Sequence, residues 1–440
     1  MKKIQIQRAR LNKGYFPPRF SPLAAGIMNA AKGIYIRMGE KLSNVTLCNP
    51  EPFCRALREQ QEGKNRLIIL FRHADKADAP SLLYAVNTLA PRKGRRMGIR
   101  YDRRPHAFFL YGKDVPNWAG ALAGWIFPRL GHIPVINRGL CRESIDDIRK
   151  ALKENRFPMA LAPEGQVTYH AHHTFDLESG IMHMAEWAAE QGPVKLMPVA
   201  LAYDYGTNRT RVLQKVRKKW IKMTGLPLSE FTENSPYSLL MEMTEKTLTL
   251  LEESFLHGAP QTGKADADSR IAALNEAILK EAEKTAGIRK SGTILDRIFR
   301  IRYRGVDTRY PENRDPAGYN TWERSRSDYD CIKAALYIRC SQIVDVLEYV
   351  HTSYIDDVPL NNRHCEYALT ILDVVNRFSG GDIGSRYTPV LRRALLLTGD
   401  PLDFSDMGAG LPKKERFKKG TGQIKESLEG LSLQIEGHMN

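Results

Sequence analysis

Short apolar runs bounded by charged or turn-forming residues recur in the first half of the chain and predict buried strands. The clearest run is Leu67 to Phe71, which lies between Arg66 and Arg72. A run of this length is typical of a strand buried on both faces, although periodicity alone leaves a buried helix open. The other predicted strands are Ala107–Tyr111, Ile133–Ile136, Met159–Ala162 and Val194–Ala202. Pro198 interrupts the last run and favours an edge strand or a strand start there.

Segments with helical spacing alternate with these runs. Between Ser21 and Leu42 apolar residues recur every three or four positions, and lysines and an arginine occupy the other side. Such a basic amphipathic helix either lies in a membrane interface or packs against the domain. The segment Trp118–Leu130 is apolar almost all round and predicts a core helix or one that dips into an interface. Further helices are predicted at Asn49–Glu62, Pro80–Leu89, Ser144–Glu154 and Tyr237–Phe255.

The alternation of strands and helices from residue 66 to about 202 predicts an α/β layered domain. The polar segment Gly258–Lys264 reads GAPQTGK, but Ala265 stands where a phosphate-binding loop needs serine or threonine, so a linker is predicted. Beyond it the pattern predicts helices at Ile271–Thr285, Tyr329–Val350, Cys365–Phe378 and Val390–Leu397, and a frayed end over Gly420–Asn440. We therefore predict three segments: a basic arm with amphipathic helices (1–65), an α/β domain (66–260) and an all-helical C-terminal region of unknown role (265–440).

Charge narrows the classes of partner. The 440 residues carry a formal net charge of +16, which favours a polyanionic partner: nucleic acid, an anionic membrane surface or a phosphate-bearing substrate. No nucleic-acid-binding signature accompanies the dense basic segment Arg92–Arg104, which argues against nucleic acid. No apolar stretch has the length of a membrane span, so a membrane would be bound at its surface. The six cysteines form no C-x-x-C pair, which is typical of reduced cytoplasmic thiols and not of a zinc site.

Four features at predicted strand ends suggest chemistry. They are His73 with Asp78, the stretch Gly131–Arg138 (GHIPVINR), the stretch Ala162–Val167 (APEGQV), and Pro198 in the last strand. Loops at the ends of strands commonly carry functional residues because the sheet holds them rigidly. Taken alone, Asp78 can equally be the N-cap of the following helix and His73 an ordinary loop histidine.

Together these features resemble the glycerolipid acyltransferases, the family of lysophosphatidic acid and glycerol-3-phosphate acyltransferases. The family's H-x4-D box looks like His73 to Asp78, its second motif like Gly131–Arg138 and its Pro-Glu-Gly box like Ala162–Val167. The resemblance covers roughly Arg66 to Tyr203. It implies an α/β fold with a central mixed sheet flanked by helices. The implied enzyme is an O-acyltransferase that needs no cofactor besides acyl-CoA or acyl carrier protein as co-substrate.

The residue types suit this reaction. Acyl transfer to a hydroxyl needs a base, and His73 has a suitable unperturbed pKa, while Asp78 can orient its imidazole. No G-x-S-x-G elbow is present, so direct attack by the acceptor hydroxyl is favoured over an acyl-enzyme. The remaining predicted acceptor contacts are Arg138, which suits a phosphate, and Glu164 and Gly165 of the third box.

Two departures leave the acceptor open. The third box has Gln166 and Val167 where the family has threonine and arginine, and Arg72 stands where asparagine often precedes the histidine. Lys113 or the basic segment Arg92–Arg104 is the predicted replacement for the missing arginine. We expect a lysophospholipid or related glycerolipid acceptor, and a peripheral location on the cytoplasmic inner face of an anionic membrane.

Two alternatives remain at this stage. The histidines at positions 170, 172, 173 and 183 contain an H-x-H pair, but no partnering cysteine or carboxylate spacing supports a metal site, so none is predicted. The other alternative is a non-catalytic basic protein that binds lipid or nucleic acid on a relic acyltransferase fold.

Overall fold

A mixed sheet lies at the centre of one of two compact units. The computed structural model describes residues 8–118, 120–137, 139, 141–231, 236–256, 266–312 and 314–439. In this part of the chain the sheet has eight strands. They are β1 (Leu42–Cys48), β2 (Arg66–Phe71), β3 (Phe108–Gly112), β4 (Ile133–Val135), β5 (Met159–Leu161), β6 (Val194–Asp204), β7 (Arg392–Thr398) and β8 (Leu402–Asp403). The sheet unit comprises Tyr15–Gly206 and Val390–Asn440, and the other unit comprises Met1–Gly14 and Thr207–Pro389.

Strand β2 is at the middle of the sheet. The strand order is β1-β7-β6-β2-β5-β3-β4, with β8 also paired to β6. Strands β6, β2, β5, β3 and β4 run parallel, whereas β7 runs antiparallel to β6. Alternate residues of β2 enter two different core clusters, Leu67 and Ile69 on one face and Ile68 and Leu70 on the other. Burial on both faces explains the uninterrupted apolar run and confirms the predicted strand.

The prediction that Pro198 marks an edge or a strand start is wrong. Strand β6 is an interior strand, and Pro198 is paired with Leu70 of β2. The N–H that proline lacks would point to the other side of β6, where β7 pairs only up to Val199 and β8 begins at Leu196. Proline therefore removes no ladder hydrogen bond, because it lies in the gap between two partner strands.

Helices cover both faces of the sheet. The first eight are α1 (Pro22–Ile34), α2 (Pro50–Gln61), α3 (Asp78–Tyr84), α4 (Ala90–Arg96), α5 (Val115–Trp118), α6 (Ala121–Arg129), α7 (Arg142–Glu154) and α8 (Gly180–Ala189). Helix α2 buries Phe53 and Leu57 on one side of the sheet, and α7 and α8 bury Ile148 and Ile181 on the other. This layering confirms the predicted α/β fold with a mixed sheet.

The helix predicted from Ser21 to Leu42 is shorter in the structure. It ends as a regular helix at Ile34, continues through a π-helical turn over Tyr35–Gly39, and Leu42 is the first residue of β1. The buried side chain of Leu42 joins the sheet core, so its apolar character reflects a strand and not the helical stripe.

The second unit is helical in its described part. Its helices are α9 (Arg209–Thr224), α10 (Pro236–Phe255), α11 (Ala267–Ala286), α12 (Ile294–Arg309), α13 (Thr321–Leu347) and α14 (Asn362–Phe378). Buried ion pairs link neighbouring helices, as between Arg270 and Glu252 at 2.7 Å. The predicted linker Gly258–Lys264 lies outside the described residues.

The chain returns to the sheet after Pro389, which corrects the predicted all-helical C-terminal region. Val390–Leu397 is not a helix but contains most of β7, and β8 follows it, so the region is mostly helical. Consecutive leucines of β7 are buried because they face opposite sides of the sheet, Leu396 in one cluster and Leu395 in another. The end of the chain is not frayed either, since helix α15 (Lys413–Gln434) buries Ile424 and Leu428.

The compact units therefore follow different boundaries from the predicted segments 1–65, 66–260 and 265–440. The chain leaves the sheet unit at Gly206 and re-enters it at Val390, and the insertion between these points forms most of the helical unit.

Candidate active site

The carboxyl ends of the parallel strands bring the predicted residues to one edge of the sheet. His73 follows β2, Glu164 follows β5, Lys113 follows β3 and Asn137 follows β4. Because these four strands are neighbours and parallel, their C-terminal loops meet at the same edge. Arg138, the predicted phosphate contact, lies outside the described residues.

His73 and Asp78 form a hydrogen-bonded pair. The distance between His73 Nδ1 and Asp78 Oδ2 is 3.0 Å, and the imidazole keeps 21% of its surface exposed while the carboxylate has none. The imidazole and the ring of Phe71 also pack edge-to-face, with centroids 5.8 Å apart. With an Nδ1–H donating to the carboxylate, Nε2 is the nitrogen that can accept a proton from a substrate.

Asp78 is held by groups of the protein on both of its oxygens. The backbone N–H of Asp75 donates to Oδ2 at 2.7 Å, and the hydroxyl of Tyr203 donates to Oδ1. Burial raises the pKa of the Asp78 carboxyl, and the neighbouring His73 opposes that rise. Burial, together with the charge of Asp78, raises the pKa of the Tyr203 phenol well above its usual value. Helix α3 begins at Asp78 itself, with Ala77 as the N-cap residue. The Asp78 carboxylate therefore does not cap the helix but bonds to His73 and Asp75 of the preceding loop.

Glu164 holds the backbone of His73. Its side chain is fully buried, and Oε2 accepts a hydrogen bond from the His73 N–H at 3.0 Å. Its other oxygen, Oε1, accepts from Arg72 Nε at 3.1 Å and from the Phe175 N–H at 3.3 Å. On the other side of the same peptide, the Thr168 N–H donates to the His73 carbonyl at 2.8 Å. The Pro-Glu-Gly box (the third box) thus holds the main chain of the H-x4-D box (the first box). The contact of Glu164 with the acceptor stays a prediction.

Arg72 uses all five of its N–H groups within the protein. Besides Glu164, Nη1 donates to Thr174 Oγ1 at 3.0 Å and to Ser432 Oγ at 2.8 Å. Nη2 donates to the carbonyls of His170 and His173. A guanidinium has five N–H donors, so this fully buried charge is saturated by protein acceptors. Arg72 therefore joins the first box, the loop after the third box and helix α15.

The second and third boxes meet at Gly165. The Asn137 side-chain amide donates to the Gly165 carbonyl at 2.8 Å. Gly165 has a φ of +75°, where an L side chain is strained, and its N–H donates to the Ala162 carbonyl at 3.2 Å. Lys113 is half-buried and its backbone N–H donates to the Val135 carbonyl at 2.8 Å, which ties the loop after β3 to the end of β4.

The histidines that follow the third box belong to this loop network. His172 Nδ1 is 3.3 Å from Glu436 Oε1 and at the same distance from the Ser432 carbonyl. Among the described residues, no group of three histidine, cysteine or carboxylate side chains is arranged to hold a metal ion.

Sequence reasoning assigned no part in this network to four residues: Arg72, Asp75, Tyr203 and Arg392, whose guanidinium pairs with the Asp75 carboxylate at 2.7 Å. Three of them had a feature in the sequence that could have drawn attention to them. Arg72 and Arg392 are charged residues at the borders of apolar strand segments, and Asp75 lies between the two members of the H-x4-D box. A charged residue that ends an apolar run beside a candidate catalytic residue is a reason to expect a buried ion pair.

A comparison with protein families matches the segment that carries these loops. Residues 53–202 match the family model described as Acyltransferase. The chain carries an acyltransferase-family domain. This confirms the resemblance to glycerolipid acyltransferases and supports an acyltransferase activity in general. The acyltransferase domain extends from α2 into β6 and includes His73, Asp78 and Glu164, whereas β7 and α15 lie outside the match. A comparison with curated proteins finds no match.

Proposed function

We propose that this chain transfers a fatty acyl group from acyl-CoA or acyl carrier protein to a hydroxyl of a glycerolipid acceptor such as a lysophospholipid. The observation that carries the proposal is the contact between His73 Nδ1 and the buried Asp78 carboxylate at 3.0 Å. It orients a partly exposed imidazole at the edge of the sheet where the motif-bearing loops meet. A neutral histidine held in one tautomer is suited to general-base catalysis near neutral pH.

In the proposed reaction, His73 Nε2 takes the proton of the acceptor hydroxyl as its oxygen attacks the thioester carbonyl. Asp78 stabilises the imidazolium that forms. The tetrahedral intermediate then collapses: the new C–O ester bond remains, the C–S bond breaks, and the proton passes from His73 to the departing thiolate. No acyl-enzyme forms and no cofactor is needed besides the acyl donor.

The acceptor is proposed to bind along the same edge of the sheet. Strand β5 separates β2 from β3, so Lys113 follows a strand about 10 Å away from the one that precedes His73. That separation suits an acceptor whose hydroxyl lies at His73 while a phosphate reaches Lys113. Arg138 stays the phosphate contact that the sequence predicts. Gly165 and Glu164 are proposed to shape the site between them, with Glu164 acting at least through the His73 backbone.

An anionic membrane surface is the proposed source of the acceptor. Helices α1 and α6 pack together through a small apolar cluster that includes Ala24, Ala25, Ile126 and Leu130. The two helices and the π-helical turn after α1 leave other apolar side chains on the outside: Leu23 is 75%, Ile27 55%, Met38 75%, Leu122 73% and Trp125 46% exposed. Exposed apolar residues concentrated on two packed helices are typical of a surface that meets a membrane or a partner.

Positive charge beside α1 favours the anionic membrane. Burial, reinforced by the nearby guanidinium groups of Arg104 and Arg92, lowers the pKa of Lys32 to about 8. Arg92 and Arg104, the two ends of the dense basic segment, therefore lie near Lys32 of this helix, where they can attract anionic lipid headgroups. No helix in the described part of the chain is long and apolar enough to cross a bilayer. We propose a peripheral position on the inner face of the cytoplasmic membrane.

The test is acyl transfer by the purified full-length protein. Labelled acyl-CoA and acyl carrier protein are each offered with a panel of lysophospholipids, glycerol 3-phosphate and diacylglycerol. We expect ester formation with at least one acceptor and a loss of about 10³-fold or more in kcat for His73→Ala, since general-base catalysis contributes about 10²–10⁴-fold. His438→Ala removes an exposed histidine and serves as the matched control. Transfer that persists undiminished in His73→Ala would refute the mechanism.

A further inference from the structure

Arg392 reaches the catalytic loop from a distant part of the chain. It is the first residue of β7, outside the matched segment 53–202, and only 4% of it is exposed. Its Nη1 donates to Asp75 Oδ2 at 2.8 Å and its Nη2 to Asp75 Oδ1 at 2.7 Å. This is a buried, bidentate pair with a residue located between His73 and Asp78.

Asp75 transmits this contact to Asp78. The Asp75 carboxylate also accepts the Ala77 N–H at 3.0 Å, which closes the tight turn of the loop. In that turn the backbone N–H of Asp75 points at Asp78 Oδ2, the same oxygen that faces His73. Fixing the Asp75 side chain therefore fixes the donor that sets the position of the Asp78 carboxylate.

Arg392 also touches the group that holds the second oxygen of Asp78. The guanidinium carbon lies 4.0 Å from the ring centroid of Tyr203, whose hydroxyl donates to Asp78 Oδ1. The hydrogen bonds that Asp78 accepts from the Asp75 N–H and the Tyr203 hydroxyl thus both come from residues in contact with Arg392. A lysine could supply the charge but not a planar fork that binds a carboxylate twice and stacks on a ring.

We propose that Arg392 is a positioning residue for the His73–Asp78 pair, acting through Asp75 and Tyr203. The inference rests on the proposed role of His73 as the base. It assigns a function in catalysis to the C-terminal return of the chain: β7, antiparallel beside β6, delivers the guanidinium that sets the geometry of the H-x4-D loop.

The test compares three full-length variants. Asp75→Asn with Arg392→Met removes both charges together, which avoids leaving one buried and unpaired. Arg392→Lys keeps the charge without the bidentate and stacked geometry. Arg393→Met is the matched control, because Arg393 is the next residue of β7, pairs with Asp204 at 2.8 Å and keeps 36% of its side chain exposed.

Two measurements are made on each variant. The first is kcat and KM for acyl transfer, with His73→Ala as the reference for a lost base. The second is hydrogen exchange of the peptide that spans residues 72–79, which contains the Asp75 amide. We expect the double variant to lose about 10²-fold in kcat with KM retained, as for a displaced catalytic group. We also expect faster exchange in that peptide, an intermediate kcat for Arg392→Lys, and no change for Arg393→Met.

The outcomes separate this inference from the proposed function. Wild-type activity that depends on His73, combined with unchanged kcat in both Arg392 variants, overturns the inference alone. If the wild-type protein transfers no acyl group to any acceptor, the proposed function fails, and unchanged exchange at residues 72–79 then overturns the inference as well. A rise in KM with kcat retained would also contradict a positioning role. If the double variant does not fold, Arg392→Lys decides the question.

Discussion

Replacing Arg72 by methionine should destabilise the sheet unit strongly. The substitution removes five hydrogen bonds to Glu164, Thr174, Ser432 and two loop carbonyls, and it leaves the fully buried Glu164 carboxylate without its cationic partner. Breaking one side of a buried ion pair costs about 3–5 kcal/mol, because the remaining charge stays desolvated.

The loss should be visible in thermal unfolding of the full-length protein. For a unit of 150–250 residues, each kcal/mol lowers Tm by about 2–4 °C, so Arg72→Met should lower it by about 6–20 °C. The transition is followed by circular dichroism, with the helical unit as an internal reference if it unfolds separately. The matched control is Arg55→Met: Arg55 pairs with Glu51 at 2.7 Å, but 66% and 57% of the two side chains are exposed. An exposed pair contributes only about 0–1 kcal/mol.

The same variant examines the link between Glu164 and catalysis. Without Arg72 the Glu164 carboxylate gains freedom to move away from the His73 N–H, so kcat should fall together with Tm. A Tm within about 2 °C of wild type would show that the five hydrogen bonds contribute little net stability, and would contradict a stabilising role of Arg72 in joining these loops to helix α15.

Three further predictions concern pH, the membrane and the acceptor. Burial lowers the pKa of His106 to about 4 and that of His132 to about 3. As the pH falls below 6.5, these histidines therefore become protonated in the unfolded chain but stay neutral in the folded one. Stability should therefore be present above pH 6.5 and fall by about 2 kcal/mol per histidine by pH 5 in urea unfolding. Leu23→Glu with Ile27→Glu should weaken co-sedimentation with anionic vesicles by about tenfold or more, since each buried apolar side chain contributes about 1.5–3 kcal/mol. Lys113→Ala should raise KM about tenfold for phosphate-bearing acceptors and leave kcat unchanged, because the lysine is proposed to bind the acceptor and not to take part in the reaction.

Each of these predictions has a control. His132→Gln keeps an acceptor for the Phe109 N–H, now 3.2 Å from His132 Nδ1, and should flatten the pH dependence; an equal slope in this variant would contradict the assignment. Leu336→Glu changes a leucine that is 54% exposed in the helical unit and should leave vesicle binding intact. Acceptors without phosphate should be insensitive to Lys113→Ala, and equal KM changes for both acceptor types would exclude a phosphate contact.

Local patterns predicted most of the element types correctly. The strand predicted at Leu67–Phe71 and the helix predicted at Ser144–Glu154 are confirmed. Both were recognisable because burial determines which positions of a strand or a helix are apolar. The error at Val390–Leu397 has the same origin. Three leucines buried on both faces of an interior strand leave no alternation, and such a short apolar run looks alike in a buried helix and a buried strand.

The sequence indicated the loops that form the candidate site, but not the residues that hold those loops in place. His73 and Asp78 were singled out because they follow a predicted strand, and Glu164 because it lies in a stretch that resembles the family's Pro-Glu-Gly box. The supporting arginines were not, since their partners are remote: Arg392 and Asp75 are separated by 317 positions. Arg72 was noticed only as a departure from the family pattern, and nothing in its neighbourhood indicates that Ser432 accepts its hydrogen bond.

The sequence alone determined a short apolar run that suits a buried strand, followed by His73 and, five positions later, by Asp78. Those features are local, and apolar burial and backbone geometry act on neighbouring residues. Only the tertiary structure decided what surrounds that pair. The order of strands in a sheet depends on packing between distant segments, and here it places β7 beside β6 and α15 against the sheet. That arrangement holds the guanidinium groups of Arg72 and Arg392 in place. These two groups in turn hold the loop that carries His73 and Asp78.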